Sequence, residues 1–187
     1  MNRVALVVLL FASAGHAQPT PVPISGDGGL FLEADLGISI LSETVGSPSL
    51  VGALAPGVRS GLRGTHWGVF GVVEAALWWA PTGVEDETEV QSALNVGVGG
   101  EVLYGAGYVR TSLALGPSIL LKGSELDTGG DVGFFLEFRA AGLRWDLDGP
   151  YVLVADPLSF SLIMPALDGI PLVEVEYRSG VAVEYLF

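Results

Sequence analysis

Cysteine is absent from this chain of 187 residues. Neither a disulfide framework nor a thiolate metal site can form without it. Positive charge is scarce too: eight Lys and Arg stand against 21 Asp and Glu, for a net charge of −13. A surface of that sign repels nucleic acid, and repels anionic lipid head groups unless divalent cations bridge them. No nucleic-acid partner is expected. Histidine occurs only at His16 and His66. After residue 17 no apolar run is long enough to cross a membrane as a helix, which takes about 20 residues. Yet 50% of the residues are hydrophobic, and mean hydropathy is +0.54, high for a water-soluble protein. An apolar excess without helical spans is what a transmembrane barrel produces, because only one face of each strand meets lipid.

The start of the chain reads differently from the rest. Arg3 precedes an apolar run, Val4–Ala14, and then Gly15-His16-Ala17. A charged start, a short apolar core and a small-x-small exit predict a signal peptide over residues 1–17, cleaved after Ala17. No lipoprotein anchor is expected without a cysteine at the cut. Residues 18–28 are Pro-rich and polar and read as an extended leader. The folded domain is expected over residues 29–187.

What is abundant is alternation. In the last stretch Val173, Val175, Tyr177, Ser179, Val181, Val183, Tyr185 and Phe187 interleave with Glu174, Glu176, Arg178, Gly180, Ala182, Glu184 and Leu186. A period of two is a β-strand with one apolar and one charged or small face. The same pattern predicts strands over Leu30–Leu41, Leu50–Leu62, Trp67–Trp79, Ser92–Tyr104, Tyr108–Leu121, Asp131 to about Trp145, and Tyr151–Met164. Tight turns are predicted at Arg63-Gly64-Thr65-His66, Gly105-Ala106-Gly107 and Asp148-Gly149. Longer polar loops fill the other connections. Trp67, Tyr104, Tyr108, Trp145, Tyr151, Tyr185 and Phe187 gather at the turn end, and Trp78 and Trp79 at the loop end, as two interfacial girdles would.

Three places strain the pattern. Pro56, Pro117 and Pro157 fall inside predicted strands, where a closed barrel has no free edge. They are expected at bulges or above the membrane. A bulge at Asp156-Pro157 would turn Asp156 inward. Around Arg144, Trp145 and Asp146 the alternation assigns no clear face.

The polar faces hold Glu33, Asp35, Arg59, Glu74, Glu101, Arg110, Glu137, Arg139, Glu174, Glu176, Arg178 and Glu184. An interior of about eight strands is only wide enough to be filled by side chains. A salt-bridged core is therefore expected, with a narrow polar conduit as the alternative. An enzyme would need a nucleophile, a base and an orienting acid. The choices are His66, in a turn beside Thr65, and Lys122, near Ser118 and Ser124. Neither spacing makes a motif, so no catalytic residue is assigned. The acidic run Glu85–Glu89 reads as a solvated loop, with a divalent-cation site as the alternative. No cofactor is implied.

The ending Val181, Val183, Tyr185 and Phe187 resembles the terminal strand of the small eight-stranded outer-membrane barrels of the OmpA transmembrane-domain and OmpX-like kind. The resemblance covers about Leu30 to Phe187 at the level of pattern. It implies an all-β, antiparallel up-and-down transmembrane barrel with both termini periplasmic. It also implies that the terminal motif, Phe187 above all, is read by the barrel-assembly machinery. Outer-membrane lipids and lipopolysaccharide are the partners it implies, for a monomer. No peptidoglycan-binding domain is present, so a cell-wall tether is not expected. The function expected is non-enzymatic, structural or surface-interacting. The alternatives are a channel, a lipid-modifying enzyme, and a soluble barrel with its apolar faces turned inward.

Overall fold

The computed structural model describes residues 29–43, 50–81, 88–122, 130–147, 149–164 and 174–187. The expected signal peptide and leader lie outside these residues. Eight strands follow one another: β1 (Gly29–Glu43), β2 (Leu50–Arg63), β3 (Trp67–Pro81), β4 (Thr88–Tyr104), β5 (Val109–Lys122), β6 (Val132–Asp146), β7 (Tyr151–Met164) and β8 (Glu174–Leu186). Each pairs antiparallel with its neighbours in sequence, and β1 pairs with β8, so the barrel is closed. Closure leaves no unpaired edge.

Short turns after β2, β4 and β6 share one end with Gly29 and Phe187. The longer connections lie at the other end. The turn after β4 is a single 3-10 turn, Gly105–Gly107. There Ala106 is the only non-glycine residue with a left-handed φ, 60°, among the described residues. β1 to β4 run one to four residues past their predicted ends, β5 and β6 shift by one residue, β7 keeps its predicted bounds, and β8 is one residue shorter at each end. β4 starts at Thr88 rather than Ser92, because Thr88–Gln91 still pair with Trp78–Pro81.

The prolines sit where the ladders break. β2–β3 pairing skips Ala55 and Pro56, β4–β5 pairing skips Gly116 and Pro117, and β7–β8 pairing shifts between Asp156 and Ser159 around Pro157. A proline has no N–H to donate, so a gap in the ladder is where it costs least. A further irregularity lies between Arg139 and Leu143 of β6. It inverts the parity, so Arg144 points inward and Trp145 outward. The unclear faces of the sequence reading are resolved by that bulge.

The faces are inverted relative to a water-soluble barrel. Leu36, Ile38, Val69, Val98, Leu115, Val132 and Val181 point outward, with Ile38 66% exposed. Charged residues point in. Three outward side chains donate to wall carbonyls: Ser60 Oγ to Phe31 at 3.1 Å, Thr111 Oγ1 to Ala140 at 2.8 Å and Tyr177 Oη to Pro157 at 3.2 Å. The last two carbonyls lie at bulges. In lipid a carbonyl released from the ladder needs such an internal donor.

Trp78 is corrected here. It is fully buried, and its indole N–H donates to Gln91 Oε1 at 3.1 Å. Adjacent residues face opposite sides, so Trp79 alone of the pair faces outward. With Leu120, Ile163 and Phe135, Trp78 belongs to the apolar cluster inside the wall.

Glycines make the wall thin enough to fill. A Cβ on Gly61 would lie 2.0 Å from the Val69 carbonyl oxygen, whereas one on outward-facing Gly71 would meet nothing closer than 3.9 Å. Gly61→Ala should therefore destabilise the folded barrel by roughly 1–3 kcal/mol, with Gly71→Ala far less costly. Urea unfolding in lipid vesicles, followed by tryptophan fluorescence, measures both.

Candidate functional site

Strand alternation sends every second side chain of all eight strands into one narrow space. Glu33, Asp35, Arg59, Glu74, Glu101, Arg110, Glu137, Arg139, Glu176, Arg178 and Glu184 meet there, with side chains 5% exposed or less. The Glu174 side chain lies outside the described residues. The structure adds Arg144 and Arg63 to the sequence-derived charged set, and turns Asp156 inward as the expected bulge requires. Asp156 enters through the Pro157 bulge, and Arg144 through the bulge of β6. Arg63 is the last residue of β2 and points inward, not part of the turn. Extending the parity of Arg59 and Gly61 by one step would have found it.

The charges form two groups. In the central one, Arg110 Nη2 donates to Glu33 Oε1 at 2.9 Å and to Asp156 Oδ2 at 2.7 Å. Arg139 reaches Glu137, Asp156 and Asp35 at 2.8, 2.6 and 3.1 Å. Arg59 binds Asp35 at 3.3 Å and also Glu137. Arg178 donates to Glu74 Oε1 at 2.9 Å and Glu176 Oε2 at 2.8 Å, and Ser39 Oγ donates to Glu176. Nearer the turn end, Arg63 pairs with Glu101 and Glu184. Arg144 donates to Glu184 at 2.7 Å and to the Gly107 carbonyl at 2.8 Å. Two guanidinium groups sit against aromatic faces, Arg59 over Phe70 at 5.0 Å and Arg63 over Phe31 at 4.1 Å. Each charge is thereby held by direct partners in a space without bulk water, which is the condition for burying it at all.

The other sequence candidates do not converge. His66 is exposed in the turn between β2 and β3. Lys122 Nζ lies 2.8 Å from Glu89 Oε1 and is 57% exposed, while Ser118 is fully buried inside the wall. Ser124 and Glu85–Glu87 lie outside the described residues. No group of three or more His, Asp or Glu among the described residues is arranged to hold a metal ion. Val181 and Val183 face outward, and Phe187 is 73% exposed at the turn end. Tyr185 stacks edge to face on Tyr151 at 5.3 Å and on Phe187 at 4.7 Å.

No protein-family model matches this chain, and no curated protein matches it in sequence. Solved structures do match. Neisserial surface protein A (NspA) superposes with a TM-score of 0.54 at 14% identity, covering 82% of this chain and 96% of that one. Ail, the attachment invasion locus protein of Yersinia pestis, in complex with the heparin analogue sucrose octasulfate, gives 0.51 at 14% identity, covering 84% and 99%.

This chain has the fold of the small outer-membrane barrels.

At that identity the likeness is in the path of the backbone. What fills this barrel follows from its own residues. Removing one partner of a buried ion pair strands the others. Arg110→Met should cost roughly 3–5 kcal/mol of folding stability, because it leaves Glu33 and Asp156 short of a donor. Lys122→Met, which breaks the exposed pair with Glu89, should cost less than about 1 kcal/mol. Equilibrium unfolding of the two variants beside the parent checks the contrast.

Proposed function

We propose that this chain is an integral outer-membrane barrel that conducts nothing, catalyses nothing and carries its long loops at the cell surface. One observation carries the reading: the interior is filled while the exterior is apolar. Trp78, Leu120 and Ile163 crowd the loop half, the central ion-pair group occupies the middle, and Phe31, Phe70 and Val152 lie with the second ion-pair group toward the turn end. A filled lumen supports a scaffold rather than a channel. The separation of Lys122 from Ser118, and of His66 from the interior, supports a non-enzymatic role. With the short turns and both termini periplasmic, the four longer connections face outward from the cell.

The loop chemistry bears on what they meet. Residues 43–50, 80–91, 122–131 and 165–174 carry ten carboxylates and a single cation, Lys122. Ail forms a complex with a heparin analogue, sucrose octasulfate, a polyanion. A face this acidic disfavours polyanions and favours cationic partners, or lipopolysaccharide bridged by divalent cations. The chain acts as a monomer in this reading, inserted by the barrel-assembly machinery through Val181, Val183, Tyr185 and Phe187.

Two measurements test it. Planar bilayers containing the purified barrel should show no current steps, and regular unitary conductance would refute a filled scaffold. The lack of cysteine allows single-site labelling. On intact cells a membrane-impermeant maleimide should label Lys122→Cys and spare Thr65→Cys; the reverse pattern would turn the barrel over.

A further inference from the structure

The central ion-pair group is not neutral. Four arginines, Arg59, Arg110, Arg139 and Arg178, face six carboxylates, Glu33, Asp35, Glu74, Glu137, Asp156 and Glu176. Each of these carboxylates accepts from a guanidinium, and with all six ionised the four arginines leave two of them without a matching charge. Two negative charges are therefore in excess where water is excluded, and a buried charge without compensation is very costly. The turn-end group, with two arginines and two glutamates, balances.

A second observation locates where compensation is drawn. Glu74, Asn95 and Ser118 stand side by side on β3, β4 and β5, as register partners facing inward. Asn95 Nδ2 donates to Glu74 Oε1 at 3.3 Å. Asn95 Oδ1 and Ser118 Oγ, both fully enclosed, have no hydrogen-bond partner in the protein. On the facing wall Ser161, the register partner of both Glu137 and Glu176, also has an unpartnered buried hydroxyl. Unpartnered oxygens beside surplus carboxylates form a hard-oxygen donor set. A carboxylate offers about four lone-pair positions, so Glu74 can keep its bonds to Arg178 and Asn95 and still ligate.

We propose that the barrel interior binds one divalent cation of the calcium class at Glu74, Asn95 and Ser118. A charge of two cancels the excess. Calcium tolerates irregular shells of carboxylate, amide and hydroxyl oxygens, whereas magnesium demands near-octahedral geometry and gives up its water reluctantly. Apolar side chains crowd both halves of the lumen, so the ion is loaded as the barrel closes and does not exchange afterwards.

The test refolds the full chain from urea into detergent, with calcium chloride or with EGTA at matched ionic strength, and washes both preparations with EGTA. Elemental analysis should find about one retained calcium per folded barrel, and the boiling-dependent gel shift should move to higher temperature in the calcium-folded sample. Combining Asn95→Ala with Ser118→Ala should lower retention at least about tenfold. Replacing Glu85, Asp86, Glu87 and Glu89 by their amides should leave retention unchanged. Wild-type barrel that retains no calcium after folding in it overturns the proposal, whatever the variants do. So does retention that follows the acidic loop instead of the interior. Stability that ignores calcium and rises only as pH falls would mean that protons supply the missing charge, and would overturn it too.

Discussion

Everything in this molecule depends on arginine being buried against carboxylate. Transferring a guanidinium or a carboxylate out of water costs several kcal/mol per ion even after relaxation. The cost is offset only if partners are already in place with good geometry. Six arginines are so placed, and their partners come from nearly every strand. No single hairpin supplies them. Glu74 and Arg178 meet across 104 positions of sequence. The network therefore exists only when the wall is shut, and shutting the wall strands the charges unless the network forms. The two conditions impose one cooperative event.

The bulges serve that event. In β7, unbroken alternation from Val152 through Asp156 would turn Leu158 and Phe160 inward and Ser159 and Ser161 outward. The irregularity at Pro157 lets Asp156 and Ser159 both face the lumen. In β6 a bulge between Arg139 and Leu143 admits both Arg139 and Arg144. Each break exposes a carbonyl on the apolar side, where Thr111 and Tyr177 supply donors. The wall thus accepts local damage to aim specific side chains, and repairs it from the lipid-facing side.

Much of this was legible in the chain. A two-residue period needs no tertiary information, so strand number, strand order and the inward faces of Glu33, Arg59, Glu74 and Arg110 could be read directly. Parity fails where it is interrupted. Arg144 lies beyond a bulge that no single residue announces, and it stayed unassigned. Arg63 was lost differently: its neighbours Gly64 and Thr65 look like a turn, and the strand was ended one residue early. Trp78 was grouped with Trp79 by aromatic content, although adjacent residues on a strand cannot share a face. What no pattern could give was pairing across the lumen. Which carboxylate meets which guanidinium depends on barrel shear and side-chain reach. So does the position of Asn95 and Ser118 beside the surplus charge.

The confinement of arginine has a consequence for proteases that cut after basic residues. Beyond Arg3, every arginine of the chain is sealed within the wall, and the single lysine, Lys122, lies outside it. Trypsin meeting the unfolded chain finds seven places to cut after Arg3. Meeting the closed barrel, it finds one, at the loop-end terminus of β5. Resistance to trypsin is then a property of closure itself, and a limited digest counts closed molecules one at a time.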